Sequence, residues 1–201
     1  MPEPLQQVKF EDLPYSDLQL VANRPLMDQL KEAMSADPKR QLPLNQELIG
    51  QFLPQVISEV LQTSVAKKYI SGLAQFTPTI TMDDRSTSIE FEADTSLDLT
   101  PVYSAMSLGK TKPVHIKGSI LPSHTGEPRI YIGKLEVSKL GALSKPFDTQ
   151  KVKIRDDIFA KDANTFIVQA LQRNNVTVTN SRLEMGLGSA VLFLENRPEV
   201  S

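Results

Sequence analysis

Cysteine does not occur among the 201 residues of the chain. Its absence excludes disulfides, thiolate nucleophiles and cysteine-ligated metals, and it is compatible with either side of a membrane. Histidine occurs only as His115 and His124. A metal site would need both of them plus carboxylates, and their places at opposite ends of one expected strand and its turn argue against it. No apolar run approaches the roughly 18 residues that a spanning helix needs. No basic block occurs either, with 22 Lys and Arg against 24 Asp and Glu, so the electrostatic footprint of a nucleic-acid binder is missing. Nothing recurs at a fixed period and no segment is of low complexity. What is present is an ordinary globular composition, 40% apolar and 23% charged. A chain of this length buries roughly 70% of its unfolded surface and needs no metal or disulfide to fold.

The opening MPEPLQQVKFEDLP is neither a signal peptide nor a transit peptide. Two settings stay open. The protein is cytoplasmic, or it is extracytoplasmic, in the periplasm or at the cell surface, if a signal or anchor was trimmed just ahead of Pro2.

The most informative stretch is Leu44 to Leu73. Apolar residues arrive there in adjacent pairs, Leu48/Ile49, Phe52/Leu53, Val56/Ile57 and Val60/Leu61, then as Val65, Tyr69/Ile70 and Leu73. A four-residue repeat overshoots the helical turn by about 40° each time, so the apolar stripe winds around the cylinder. Such a helix is either wrapped by a curved surface, or it breaks at Pro54 and restarts with proline in its first turn. Asn45 is placed to cap it. Upstream, Val8 to Val21 suggests a short strand or extended arm. Residues 25–36 form an amphipathic helix stopped by Asp37-Pro38, and Pro38 to Pro43 reads as a linker. This divides the chain into an N-terminal arm, 1–43, and a single α+β domain, 44–201, one domain overall.

Beyond Leu73 the period changes from helical to alternating. Thr77 to Met82 and Thr87 to Leu99 form paired strands across an Asp83–Ser86 turn. Pro101 to Pro113 reads as a loop. Val114, Ile116, Gly118 and Ile120 make the next strand, and Ile130, Ile132, Leu135 and Val137 another, with a parity slip at Gly133-Lys134 that marks a β-bulge. Val152 and Ile154 alternate with basic residues. A helix capped by Asp156 or Asp157 carries Ile158, Phe159, Ala163, Phe166, Ile167, Ala170 and Leu171 on its apolar face and ends at Asn174-Asn175. Val176 to Thr179 and Arg182 to Leu194 close the chain as strands, with Gly186 and Gly188 suggesting a bend.

Motifs that carry chemistry are weak. Ser64-Val65-Ala66-Lys67 matches the S-x-x-K of acyl-serine enzymes, but its companion elements are missing. Gly109-Lys110-Thr111 has Ser104 where a phosphate loop needs glycine. Gly186-Leu187-Gly188 lacks the third glycine and following helix of a dinucleotide site. Asp83-Asp84 fits a turn, and Asp156-Asp157 a helix N-terminus. Asn175-Val176-Thr177 is a glycosylation sequon, meaningful only in a eukaryotic secretory setting. The chain is therefore expected to be no enzyme and to use no metal or cofactor.

At Ile130 to Leu143, IYIGKLEVSKLGAL, and at Asn45-Gln46-Glu47-Leu48-Ile49, the chain resembles the YpmS-like extracytoplasmic bacterial proteins. These are similar to the tubular lipid-binding (TULIP-like) group. The resemblance implies a highly curved antiparallel sheet wrapped around a long helix, membrane association through an N-terminal anchor, and no catalytic residues. The resulting expectation is a non-enzymatic α+β module with an apolar groove between helix and sheet, lined by Phe52, Val56, Val60, Tyr69, Phe91, Ile116, Ile132 and Phe166, for a lipid or other apolar ligand. For each of these residues, plain hydrophobic core is the competing role. The alternative for the whole chain is a protein–protein interaction or assembly domain of an envelope complex with no ligand, using a sheet edge such as Val176 to Thr179 or an exposed face of the 25–36 helix.

Overall fold

The computed structural model describes residues 9–62, 70–71, 79–98, 111–138, 140, 148, 151–152 and 163–197. They form an α+β fold with three helices and two mostly antiparallel sheets. In chain order the elements are β1 (Ser16–Asp17), α1 (Leu26–Ala36), β2 (Lys39–Leu44), α2 (Gln46–Gln62), β3 (Ile70–Ser71), β4 (Thr79–Thr81), β5 (Ile89–Asp98), β6 (Thr111–Pro122), β7 (Pro128–Val137), α3 (Ala163–Arg173), β8 (Asn180–Gly186) and β9 (Ser189–Glu195). One sheet has the order β1-β2-β9-β8 and the other β3-β5-β6-β7, with β4 also on β5.

The helix α1 matches its expected span. It ends because Asp37 precedes proline and is held extended, at φ −145°. The segment 38–43, marked as a linker by its prolines, is instead the strand β2, paired with β9 on one side and β1 on the other. The ladder explains how Pro43 is tolerated. Asn196 N–H donates to Pro38 O and Leu18 N–H to Gln41 O, so even-numbered residues of β2 bond toward β9 and odd-numbered ones toward β1. Pro43 therefore lacks its N–H on the side that two-residue β1 does not reach. In consequence β1, α1 and β2 do not stand apart as an arm: Leu18, Leu26, Leu30, Met34 and Leu42 are buried in the same core cluster as α2 and α3.

Asn45 caps α2 as its chemistry suggests, with Oδ1 accepting from Leu48 N–H at 2.8 Å. The helix then runs unbroken through Pro54. Proline removes one intrahelical bond and crowds the carbonyl four residues back, which here belongs to the exposed Gly50. The helix does not extend to Leu73. Ile70, where the apolar pairs thin out, lies in β3 opposite Leu97, and residues 63–69, with Tyr69, fall outside the described residues.

Alternation along β5 and β6 buries Ile89, Phe91, Ala93, Leu97, Val114, Ile116 and Ile120, as the two-residue period requires. β3 and β4 share one edge of β5 with a register slip between them: if the register of β3 ran on, Thr79 would face Ser88, and it faces Glu92. The bulge is where parity placed it. Lys117 pairs with Lys134 but Gly118 pairs with Ile132, leaving Gly133 as the extra residue. A Cβ at Gly133 would approach nothing closer than 3.9 Å, so the bulge itself does not require glycine.

Two expectations at the C-terminus fail. Gly186 and Gly188 do not bend a strand; Gly186 pairs with Ser189 across a two-residue hairpin turn whose second residue, Gly188, has φ +66°. Val176 to Thr179 is not a strand but an irregular connection, tied to β9 where Thr179 N–H donates to Glu195 O. It follows α3, which ends as a Schellman motif: Asn175 is left-handed at φ 61°, Val176 N–H donates to Leu171 O, Asn175 N–H donates to Gln172 O, and both Val176 and Leu171 are buried. The expected start of this helix at Asp156 or Asp157 lies outside the described residues, as does Ile154; of the stretch 101–113, expected as a loop, residues 111–113 belong to β6 and the rest lies outside the described residues.

The outer face of the first sheet is covered by the chain's own N-terminal segment. The Tyr15 ring meets Phe193 edge-on at 4.9 Å between centroids, and its hydroxyl donates to Glu195. Lys39 Nζ lies 4.5 Å from the Tyr15 ring centre and 5.6 Å from that of Phe10. Burial pushes the Tyr15 phenol pKa up, and the neighbouring Glu195 carboxylate adds to it. The two sheets meet where Leu183 N–H, on the edge of β8, donates to Gly126 O in the β6–β7 turn.

Candidate functional site

The interior along α2 is the place where all layers converge. Ile49, Phe52, Leu53 and Val56 of α2 face Leu44 and Leu192 of the first sheet, Leu183 of β8, Ile89 and Ile120 of the second sheet, and Ile167 of α3, around a cavity of ≈ 20 Å³. Every lining residue is apolar. A volume of roughly 10–15 Å³ already holds one water, but a water needs two or more polar partners, and none lines this space. The cavity therefore offers a water nothing to bond.

The residues expected to line a groove divide as follows. Phe52 and Val56 line the cavity. Val60, Phe91, Ile116 and Phe166 are buried elsewhere in the same core, none more than 1% exposed. Ile132 lies in β7 opposite Gly118, and Tyr69 lies outside the described residues. Ile49, Leu53, Ile89, Ile120 and Ile167, which also line the cavity, each fall on an apolar face of the sequence pattern, whereas the pairing of Leu183 and Leu192 with α2 depends on how the two sheets meet.

Two polar links cross from α2 to α3 at the rim of this interior. Asn174 Nδ2 donates to Gln55 Oε1 at 2.9 Å. Arg173 Nε sits 3.0 Å from Glu59 Oε2. This second contact is a charge pair without hydrogen-bond alignment, since that carboxylate oxygen accepts no hydrogen bond. Glu59 is 7% exposed, so the pair holds a largely desolvated anion against a solvent-facing guanidinium.

The polar clusters around His115 and Asp83 lie on the surface. His115 projects from the exposed face of β6, with Nδ1 2.9 Å from Asp94 Oδ1 and Nε2 3.6 Å from Glu92 Oε2, while His124 is exposed in the β6–β7 turn. Among the described residues no three His, Asp or Glu side chains are grouped to hold a metal ion. The Lys117 ammonium beside Glu92 lowers that carboxyl's pKa. Asp83 closes its turn by accepting from Arg85 N–H and Ser86 Oγ, which lowers its pKa. Ser64 and Lys67 lie outside the described residues, and no described helix is long and apolar enough to cross a membrane. Comparison of the chain with models of known families, with curated proteins and with solved structures gives no match.

Proposed function

We propose that the protein is a non-enzymatic module that takes up an apolar ligand, such as a lipid chain, between α2 and the sheets that curve around it, in an extracytoplasmic setting. The observation that carries this reading is the wholly apolar cavity at the convergence of α2, α3 and both sheets. The resemblance of IYIGKLEVSKLGAL to YpmS-like proteins, and through them to the tubular lipid-binding group, supports it. Size sets a condition. A dry cavity that accepts benzene measures about 150 Å³, so a ligand requires α2 to move outward, and Pro54 marks the place where that helix is already missing one backbone bond. Native mass spectrometry of protein gently isolated from its host, with titration of a fluorescent sixteen-carbon fatty acid, tests this. A lipid-mass adduct and saturable binding are expected. Absence of both, with the core still closed, would sink the reading.

The closure of that interior to ≈ 20 Å³ favours a second reading, a protein–protein interaction or assembly module of an envelope complex that holds no ligand. Its discriminating result is a specific macromolecular contact by protein that is free of lipid.

A further inference from the structure

We infer that the cleft between β1 and α1 is a docking site for an extended peptide bearing a carboxylate, which adds as a strand to the free edge of β1 and places its anion on Arg40. The site lies away from the cavity along α2. It rests on the second reading above, to which it gives a place and a partner class.

The edge follows from the ladder. Leu18 N–H donates inward to Gln41 O. Backbone groups alternate in direction along a strand, so the N–H and C=O of Asp17 and Gln19 point away from β2. No described residue bonds them. The other edge of this sheet is guarded differently: along β8, Ser181 N–H donates to Asn164 Oδ1 and Leu183 N–H to Gly126 O. Of the two edges, β1 alone has outward groups facing an open concavity.

That concavity measures ≈ 440 Å³ and is walled by Gln29, Glu32 and Ala33 of α1, a size within the ordinary range of ligand clefts. Its β1 wall is held rigid at one end, because the buried Gln29 amide donates to Val21 O and Arg24 O and accepts from Val21 N–H. Charge selects the partner. Arg24 is neutralised by Glu32 at 2.7 Å. Asp17 accepts from the side chain of Gln41, which places its carboxylate on the face of the sheet opposite Arg40. Arg40, half-buried in the cleft, donates through Nε to Ala33 O at 3.2 Å and interacts with the Asp37 carboxylate only from beyond ion-pair distance, helping to hold its pKa down. A strand laid on β1 satisfies the outward amides, and its carboxylate supplies the direct ion pair that Asp37 does not make with Arg40.

The test is nitrogen-15 NMR of the full chain with a soluble random hexapeptide pool, as free acids and as C-terminal amides. The free-acid pool is expected to shift the amides of Asp17 and Gln19, with the amidated pool roughly tenfold weaker. In Arg40→Gln the two pools become equal. Gln19→Pro, at an exposed position, removes an outward donor and abolishes the response to both, with the remaining spectrum preserved as evidence of folding. Absence of shifts at Asp17 and Gln19 with either pool at millimolar concentration overturns the proposal, as does an unchanged preference in Arg40→Gln. Shifts confined to another surface overturn the cleft assignment while leaving the interaction reading intact.

Discussion

Replacing Gly188 by alanine isolates one contact on which the hairpin between β8 and β9 depends. An added Cβ would lie 2.7 Å from Asp84 Cα, 2.7 Å from its carbonyl oxygen and 2.8 Å from its carbonyl carbon. These are backbone atoms of the 83–86 turn, which cannot rotate aside as a side chain does. The φ of +66° costs an L-residue about 1–2 kcal/mol, and forced displacement of packed neighbours costs about 1–3 kcal/mol. Retreat of the turn also lengthens the Gly188 N–H bond to Ser86 O, now 2.8 Å. A loss of about 2–5 kcal/mol is expected, which lowers the urea midpoint by about 1–2.5 M for a slope near 2 kcal/mol/M. Gly50→Ala is the internal control. It sits exposed in α2 with nothing within 4 Å of its built Cβ, so it is expected to gain about 0.5–1 kcal/mol from helix propensity alone. Equilibrium urea unfolding by circular dichroism reads both. A Gly188→Ala midpoint indistinguishable from that of the parent, or a Gly50→Ala loss equal to it, would refute the reasoning.

Other outcomes follow from the same geometry. Asn175→Ala at the left-handed end of α3 should lose about 1 kcal/mol while Asn175→Gly stays nearly neutral; thermal melts of the pair decide whether the conformation or the side chain matters. Phe52→Ala should cost about 3–5 kcal/mol and leave an enlarged dry cavity, detectable by xenon or benzene restoring part of the lost melting temperature. The Asp37 carboxyl is held below its usual pKa, first by the Ser16 hydroxyl and then by Lys39 N–H. A depressed carboxylate contributes stability above its unfolded pKa, about 3.9, and loses it as pH falls through the lower folded value. Acid unfolding of Asp37→Asn should therefore show a smaller loss between about pH 5 and the acid limit than the parent; equal slopes would count against it.

Much of the second sheet could be read from residue order because its determinants are local. β5, β6 and β7 alternate cleanly, and the Gly133 slip survives into the ladder as the bulge. Asn45, Asp37-Pro38 and Asn174-Asn175 mark helix boundaries through chemistry confined to one turn. In the first sheet β8 and β9 were legible as strands, but β2 was not, for the opposite reason. Lys39 to Leu44 carries proline, lysine and arginine, and it becomes a strand only because the distant β9 supplies the partner for its even-numbered amides. Gly186 and Gly188 mark a special backbone, but a turn and a bend use the same residue. The interior site was legible as a set of apolar faces. Its closure was not, because a volume depends on how the layers meet.

The pairing of β2 with β9 also sets an order of events. β5, β6 and β7 follow one another and can zip as successive hairpins once residue 137 has left the ribosome. The strand Lys39–Leu44 must wait for Ser189–Glu195, so its ladder closes last and across nearly the whole chain. Such long-range closure is slow and exposes unpaired edges in the meantime. During synthesis the early residues of β1, α1 and β2 are the ones left for a chaperone to shield, and removal of the last ten residues should be as damaging to α1 as a mutation within it.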